Sequence, residues 1–305
     1  MKPPALSGIH AILYAFFDAG ETLDRAAMRR QVELCIAAGA HGLAALGLAT
    51  EVAKLSESER RTVMDWIGED NAGRRPLGIT IFGGSVAEQV ASVRHARSAG
   101  ADWVILQPPM AGTYAAIEYI RFFGRVADST DLPVAIQNAP AYLGRGLSAE
   151  EIAILCRQHP NVCLLKGEGS ATEIARLVEV TEGRVPVFNG RGGLELIESL
   201  QAGCAGLVLA PDCIDHTVRI YERFAASDLE AARQSYQRIL PAIIFMMQSI
   251  ETLVCYGKRI FALRAGLAVE DRAPALRPTA FGMARVAEHV AALGPFAAAP
   301  SVRTT

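Results

Sequence analysis

The 305-residue sequence has no excess of charge of either sign and no apolar run long enough to cross a bilayer. Its 30 lysine and arginine residues nearly balance its 32 aspartate and glutamate residues, and neither a basic stripe nor an acidic block occurs. The apolar stretch 9–17 is too short for a membrane span and lacks a signal-peptide cleavage site. We therefore expect no nucleic-acid partner and no membrane partner, and instead a small molecule or a second copy of the chain.

The spacings that mark disulfide frameworks and metal sites are also missing. None of the six cysteines forms a C-x-x-C pair, and the six histidines show no H-x-x-x-H spacing. Most of the cysteines lie inside apolar periodic segments, which predicts buried, reduced thiols in a cytoplasmic protein. We expect no structural metal.

Eight short apolar runs alternate with amphipathic helical patterns. Because each run is continuously apolar, the pattern predicts a parallel sheet that is covered on both faces. Eight strand–helix units within about 220 residues predict the α/β fold class and, specifically, a closed (β/α)8 TIM barrel. An open doubly wound sheet is the alternative, but no G-x-G-x-x-G follows the first run. The runs are 10–17, 42–48, 76–83, 102–109, 132–140, 162–169, 184–190 and 205–212.

Several helix boundaries are marked in the sequence. Serine followed three residues later by glutamate predicts a capping box at the start of a helix. This spacing occurs at Ser56 and Glu59, Ser85 and Glu88, and Ser148 and Glu151.

The rhythm changes after the eighth unit, where only helical patterns remain. We predict a barrel over 1–226, a C-terminal extension of three helices over 227–296, and a flexible tail over 297–305. The extension is too apolar to be a free tail. It could pack on the barrel flank, shape the site or form a subunit interface.

The sixth run ends in an amine, Lys166, which the glycines Gly167 and Gly169 follow. Barrel enzymes do their chemistry at the C-terminal ends of the strands. Burial there disfavours a charged amine, and a neutral amine can attack a ketone to form an imine, which serves as an electron sink. The alternative is a lysine that reaches the barrel rim and pairs with Glu168 or Glu51. The glycines favour function, since they allow a loop to approach a ligand closely.

A second candidate segment, 45–61, reads ALGLATEVAKLSESERR. Backbone N–H groups that converge in the GLATE turn could hold a substrate carboxylate. The alternative is an ordinary loop that caps the following helix.

Four segments in order resemble the dihydrodipicolinate synthase / N-acetylneuraminate lyase family, over about residues 9–293. They read GLATEVAKLSESER, IQNAP, LLKGEGS and NGRGGLELIESLQAGCAGLVLA. The resemblance implies a barrel enzyme that acts on 2-oxo acids through a Schiff-base lysine, without a cofactor, as a homo-oligomer, either a dimer or a tetramer. It implies Lys166 as the Schiff-base residue. It implies a substrate-binding set of Leu48, Ala49, Glu51, Asn138, Tyr142, Gly190 and Leu207.

The family's catalytic tyrosine is replaced by glutamine in this sequence. The tyrosine of the family's Y-N-x-P motif aligns with Gln137, which can hydrogen-bond but cannot act as an acid or base near neutral pH. Hydroxyl-bearing residues of the synthases align with Leu48 and Ala49, and the tyrosine that synthase subunits exchange aligns with Met110. The arginine that binds the semialdehyde carboxylate aligns with Tyr142.

Because these positions are altered, we expect a Schiff-base lyase, an aldolase or dehydratase, acting on a 2-oxo acid such as a 2-keto-3-deoxy sugar acid. A water, Glu51 or the substrate carboxylate would then move protons, and Arg145 is a candidate to replace the lost arginine. Two alternatives stay open. One is a dihydrodipicolinate synthase that uses pyruvate and aspartate semialdehyde, and the other is a non-catalytic homologue that binds a metabolite.

Overall fold

Eight parallel strands form a closed barrel in the computed structural model, which describes residues 6–296. Each strand pairs with the next in sequence, and β8 pairs with β1. The (β/α)8 fold is therefore confirmed, and the open doubly wound alternative is wrong. The strands are β1 Gly8–Ile12, β2 Gly42–Ala45, β3 Leu77–Ile81, β4 Trp103–Leu106, β5 Val134–Asn138, β6 Val162–Gly167, β7 Val187–Asn189 and β8 Gly206–Leu209.

The strands are shorter than most of the apolar runs that predicted them. The first run continues to residue 17, whereas β1 ends at Ile12, and residues 13–17 are a buried loop over the end of the barrel. A buried loop is as apolar as a buried strand, so hydrophobicity alone did not mark the last ladder hydrogen bond.

Helices follow the strands along the chain and cover the barrel. They are α1 Arg25–Ala37, α2 Glu57–Asn71, α3 Val86–Ser98, α4 Ala116–Ala127, α5 Pro140–Leu143, α6 Ala149–Gln158, α7 Ala171–Val180, α8 Leu196–Gln201 and α9 Ile214–Ala225. After the barrel come α10 Leu229–Met246, α11 Ile250–Thr252, a π-helical segment Leu253–Gly257, α12 Lys258–Ala265 and α13 Ala280–Leu293.

Two of the three predicted capping boxes, at α2 and α6, form in full. At α3 the Ser85 hydroxyl accepts from the Glu88 N–H at 3.2 Å, but the Glu88 carboxylate accepts from the Gly84 N–H rather than from Ser85. An additional full box, between Ser170 and Glu173, begins α7 just after the sixth strand. It fixes the chain direction immediately beyond Lys166.

Aromatic packing fills the barrel interior near the N-terminal ends of the strands. The His10 ring meets the Trp103 and Phe188 rings edge-on, with centroids 5.7 and 5.1 Å apart. Burial lowers the pKa of His10 to about 4, so its ring is neutral at pH 7. This end of the barrel is thus a filled core, which leaves the opposite end for chemistry.

The C-terminal helices lie over the C-terminal ends of the strands and share one continuous core with the barrel. Met247, Ile250 and Leu253 contribute walls to the cavity that contains Lys166. Of the three roles considered for this extension, these contacts favour shaping the site. The boundary predicted at 226/227 falls between α9 and α10, and the predicted tail 297–305 lies outside the described residues.

All six cysteines are free thiols, and five of them are buried as predicted, while Cys156 is half buried. Residues 6–296 contain no cluster of three or more histidine, cysteine or acidic side chains that could hold a metal ion. Within the same residues, no single helix is long and apolar enough to cross a membrane. The pair Leu229–Met246 and Ile250–Ala265, bent by 107°, meets that test only when the two helices are taken together.

Candidate active site

Lys166 lies inside the C-terminal end of the barrel. It is the fifth residue of β6, its residue exposure is 4%, and it lines a cavity of about 30 Å³. Lys166 therefore does not reach solvent, which the rim alternative requires. Nζ does donate to Glu168 Oε1, one of the two partners that this alternative named, whereas Glu51 pairs with Lys54 and Lys258.

Glu168 is buried beside the amine because the chain stays extended past the end of β6. Side chains two residues apart on an extended segment point to the same side, so Lys166 and Glu168 both face the cavity. Gly190 makes the room for this carboxylate, because a Cβ at residue 190 would lie 2.5 Å from Glu168 Cγ. Gly190, which was predicted to contact substrate, lines the cavity and also allows Glu168 to approach closely.

A chain of buried amides holds the carboxylate from the other side. Gln137 Nε2 donates to Glu168 Oε1 at 2.5 Å, and Gln107 Nε2 donates to Gln137 Oε1 at 2.7 Å. The Gln89 side chain from α3 donates to the main-chain carbonyl of Gln107 at 2.8 Å. A carboxylate only accepts, so it fixes which end of the Gln137 amide faces it. Gln137 is therefore in contact with Glu168 and orients it.

The turn after β2 presents unused backbone donors to the same cavity. The N–H groups of Leu48 and Ala49 have no acceptor among residues 6–296, and both residues line the cavity with Lys166. Thr50 anchors the turn, because its Oγ1 donates to the Leu13 carbonyl at 2.6 Å. Two adjacent free N–H groups on a fixed turn form a cradle that suits a carboxylate.

Glu51 belongs to a different environment from the one predicted. Its carboxylate accepts from Lys54 Nζ at 2.5 Å and from Lys258 Nζ, and it lines a larger neighbouring cavity rather than the lysine cavity. It therefore does not contact Lys166, and the suggestion that it moves protons at that amine lacks support. Glu51 lies in the loop from β2 to α2 with φ +57°, in the left-handed region.

Asn138, predicted to bind substrate, holds a loop instead. Its side chain accepts from the Leu147 N–H at 2.8 Å and donates to the Leu147 carbonyl at 3.0 Å. It neighbours Gln137 on β5, so alternation directs it to the outer face of the barrel. Its amide is consumed by structure and is absent from the lysine cavity.

Tyr142 and Arg145 lie near this loop. Tyr142 is half buried at the end of α5, where burial raises the pKa of its hydroxyl and Arg191 lies beside it. Arg145 donates to the carbonyls of Pro109 and Gly112 at 2.7 and 2.9 Å, so it braces the β4–α4 loop. Its guanidinium is thus committed to backbone carbonyls, which weakens the idea that it replaces the missing arginine.

Leu207 illustrates an error of one residue. It lies in β8, but the cavity lining from this strand comes from its neighbour Val208 and from Ala210. Because successive side chains of a strand alternate, Leu207 faces the helices. The resemblance identified the right strand, and only the observed strand register identifies the face.

Among the other cavity residues that were not predicted are Arg191, Met247, Ile250 and Leu253. Arg191 follows Gly190 directly, so its place in the NGRGG segment was a usable signal. The other three come from the C-terminal helices, which sequence reasoning left without a specific position.

A model of the dihydrodipicolinate synthetase family matches residues 5–281. The chain belongs to this family. The resemblance drawn from the four sequence segments is confirmed, and the protein is a lyase of the dihydrodipicolinate synthase family.

Its curated relatives carry different activities. An uncharacterized DapA-like lyase of Halobacterium salinarum is 31% identical over 76% of each chain. The L-2-keto-3-deoxyarabonate dehydratase of Azospirillum brasilense is 30% identical over 75% of each chain. The 4-hydroxy-tetrahydrodipicolinate synthase of Xanthomonas campestris is 34% identical over 67% of each chain.

Solved structures agree with the fold over nearly the whole chain. A putative dihydrodipicolinate synthetase from Pseudomonas aeruginosa is 28% identical and superposes with a TM-score of 0.88, covering 95% of this chain and all of that one. YagE of Escherichia coli, in complex with pyruvate, gives a TM-score of 0.88 at 23% identity, over 94% of this chain and 98% of its own. The latter likeness concerns the fold alone.

Proposed function

We propose that the protein is an aldolase or dehydratase that forms a Schiff base between Lys166 and a 2-oxo acid, with a 2-keto-3-deoxy sugar acid as substrate. The observation that carries this proposal is the buried contact of Lys166 with Glu168 in a cavity at the C-terminal end of the barrel. The relative from Azospirillum brasilense, which dehydrates L-2-keto-3-deoxyarabonate, supports the substrate class.

Imine formation uses the cradle, the amine and the carboxylate. The substrate carboxylate accepts from the Leu48 and Ala49 N–H groups, which sets its carbonyl carbon beside Nζ. Glu168 takes a proton from the Lys166 ammonium, and the free amine pair attacks the C2 carbonyl. After the attack, a nitrogen proton passes to the C2 alkoxide, which gives a carbinolamine. The Glu168 carboxyl then gives its proton to that hydroxyl, so that water leaves and an iminium ion forms.

Glu168 also supplies the second proton transfer. C3 is bonded to the iminium carbon, so a carboxylate hydrogen-bonded at Nζ lies within reach of a C3 proton. Removal of that proton by Glu168 gives an enamine. In a dehydratase the protonated Glu168 carboxyl gives the proton to the C4 hydroxyl, which the enamine electron pair expels as water. In an aldolase the C3–C4 bond breaks instead, with loss of the C4 hydroxyl proton. In this scheme Glu168 does the work of the family tyrosine that Gln137 replaces.

Pyruvate and borohydride test the covalent step. Reduction should leave a stable pyruvate adduct on the wild-type protein, mapped to Lys166 by peptide mass spectrometry, and none on Lys166→Arg. An unmodified Lys166 in a folded wild-type protein would contradict the proposal.

Deuterium exchange separates proton transfer from imine formation. Glu168→Gln should form the trapped adduct more slowly, because Glu168 also moves protons during imine formation. Once the adduct forms, exchange of the pyruvate methyl protons with solvent should be slower by roughly 100-fold or more. Glu198→Gln is the matched control, because Glu198 is an exposed acid on α8 that lines neither cavity. Exchange at the wild-type rate in Glu168→Gln would remove Glu168 from the mechanism.

The synthase remains a second candidate because of its 34% identical relative. Gln137 and Tyr142 at the two altered positions argue against it, and a coupled assay with pyruvate and aspartate semialdehyde decides between the two. A non-catalytic homologue would bind a 2-oxo acid reversibly and give neither adduct nor turnover.

A homo-oligomer is supported by the exposed apolar side chains Met110, Tyr114 and Ile117, and sedimentation velocity measures the oligomeric state.

A further inference from the structure

The cavity around Lys166 is too small for the proposed substrate. At about 30 Å³ it has room for roughly two water molecules. A much larger cavity of about 810 Å³ lies next to it, and the side chains of Leu48 and Ile250 line both. These two side chains therefore form the partition between the amine and the larger space.

The partition contains two of the few partly exposed residues of the lysine cavity. Leu48 and Ile250 are half buried, whereas most of the cavity lining is fully buried. Arg191 and Gly192 of the lysine cavity are also partly exposed, but they do not line the larger cavity. A substrate chain leaving C3 thus has one route past Ile250 and one past Arg191.

Ile250 sits at a corner of the chain. It is the first residue of α11, where the helix axis turns by 107° from α10, and the π-helical segment follows it. Within that segment Leu253 lines the lysine cavity, while Val254 and Cys255 line the larger one. Helical segments with π geometry often occur at functional sites.

The opposite side of the partition is held in place by buried charges. Leu48 lies three residues before Glu51, whose carboxylate is bound by Lys54 and by Lys258 at the start of α12. The loop that carries Leu48 is therefore tied to the same group of helices that carries Ile250.

The larger cavity can receive hydroxyl groups. Gln107 lines it, is 1% exposed, and its Oε1 has no hydrogen-bond donor among the described residues. A buried acceptor without a donor carries a free-energy cost, which a substrate hydroxyl would remove. Lys54 and Glu51 add donor and acceptor atoms on the same wall.

We propose that the substrate chain beyond C3 passes between Leu48 and Ile250 into the larger cavity, and that the size of Ile250 determines which chains are accepted. This inference rests on the proposed function, because it places the 2-oxo group at Lys166. The hydroxylated end of a 2-keto-3-deoxy sugar acid then lies near Gln107, whose side-chain Oε1 accepts a hydrogen bond from a substrate hydroxyl.

The test compares a short and a long 2-oxo acid by borohydride trapping. Pyruvate has no chain beyond C3, whereas 2-keto-3-deoxyarabonate extends past it. Ile250→Trp should lower trapping of the long acid by roughly tenfold or more relative to trapping of pyruvate. Ile250→Ala should shift the ratio in the opposite direction. Ile244→Trp is the control, because Ile244 is 47% exposed on α10 and lines neither cavity.

The outcomes are distinct from those that test the function. If wild-type protein traps neither acid, the Schiff-base proposal fails. If wild-type protein traps both and the two Ile250 variants change them equally or not at all, the partition does not select the chain. If Arg191→Leu discriminates between the acids and the Ile250 variants do not, the chain leaves by the other side, and the inference is wrong.

Discussion

Two buried lysines in this protein look alike by burial and differ in what surrounds them. Lys166 is 4% exposed and contacts Glu168, and Lys258 is 1% exposed and contacts Glu51. Lys166 lines a cavity beside free backbone donors, whereas Lys258 lines neither of the two cavities and packs against the Phe17 ring. Burial lowers the pKa of Lys258.

The comparison shows that burial and a carboxylate partner do not by themselves mark a nucleophile. A nucleophile also needs space beside its nitrogen for the carbonyl carbon and a group to receive its proton. Lys166 has both, because it lines a cavity and contacts Glu168, which the side-chain amides of Gln137 and Gln107 hold in place. Lys258 instead closes a charge network with Lys54 between the β2–α2 loop and α12. Its role is to hold that loop.

The largest contrast should appear in stability. Lys258→Met leaves Glu51 buried with only Lys54 as a partner, and we expect the free energy of unfolding to fall by about 3 kcal/mol, the low end for a broken buried pair. Lys166→Met should cost about 1 kcal/mol or less, because Glu168 keeps Gln137 as a donor and borders a cavity that water can enter. Urea denaturation of both variants measures the difference.

Equal decreases in the free energy of unfolding in the two variants would contradict the distinction between the two lysines. Lys258→Met should retain the pyruvate adduct on Lys166, and its loss in a folded variant would show that Lys258 acts at the reaction site as well.

Asp212 extends the comparison to a buried acid that pairs with no lysine among residues 6–296. It accepts from Tyr14 Oη at 2.9 Å, and burial raises its pKa to about 6. A carboxyl with a raised pKa in the folded state contributes stability below its unfolded pKa, and that contribution is lost as the pH rises through the folded pKa. As the pH rises from about 4 to about 6, the contribution of Asp212 to the stability of the wild type should therefore fall, by at most about 3 kcal/mol.

Asp212→Asn should lack this part of the pH dependence. Unfolding by urea at pH 4, 5, 6 and 7 for both proteins gives the difference, in which groups common to the two cancel. Parallel curves over this range would mean that Asp212 ionises in the folded protein as easily as in the unfolded chain.

The smallest expected effect concerns the amide chain that Lys166 has and Lys258 lacks. Gln137→Leu removes one hydrogen bond to the Glu168 carboxylate, and a bond to a charged group corresponds to roughly 10- to 100-fold in rate. Exchange of pyruvate methyl protons should slow by that factor with little change in the pyruvate concentration that half-saturates trapping. A change confined to the binding of pyruvate would assign Gln137 to the pocket wall instead.

Much of the site could be placed from the sequence because strand ends mark the active face of a barrel. The apolar run 162–165 leading into Lys166 identified both the strand and its functional end. Glu168 required more, since a following acid could have pointed outward had the chain turned one residue earlier. Leu207 shows the same limit, because a shift of one residue exchanges the inner and outer faces.

The sequence by itself determined the eight-unit α/β rhythm, the family, and the lysine at the end of the sixth strand, since local periodicity and segment order are properties of the chain alone. The tertiary structure decided that Glu168 meets the amine, that Glu51 meets Lys258 instead, and that Ile250 stands at the partition. Those contacts join residues up to 207 positions apart, as between Glu51 and Lys258. Only the closure of the barrel and the packing of the C-terminal helices bring such residues together.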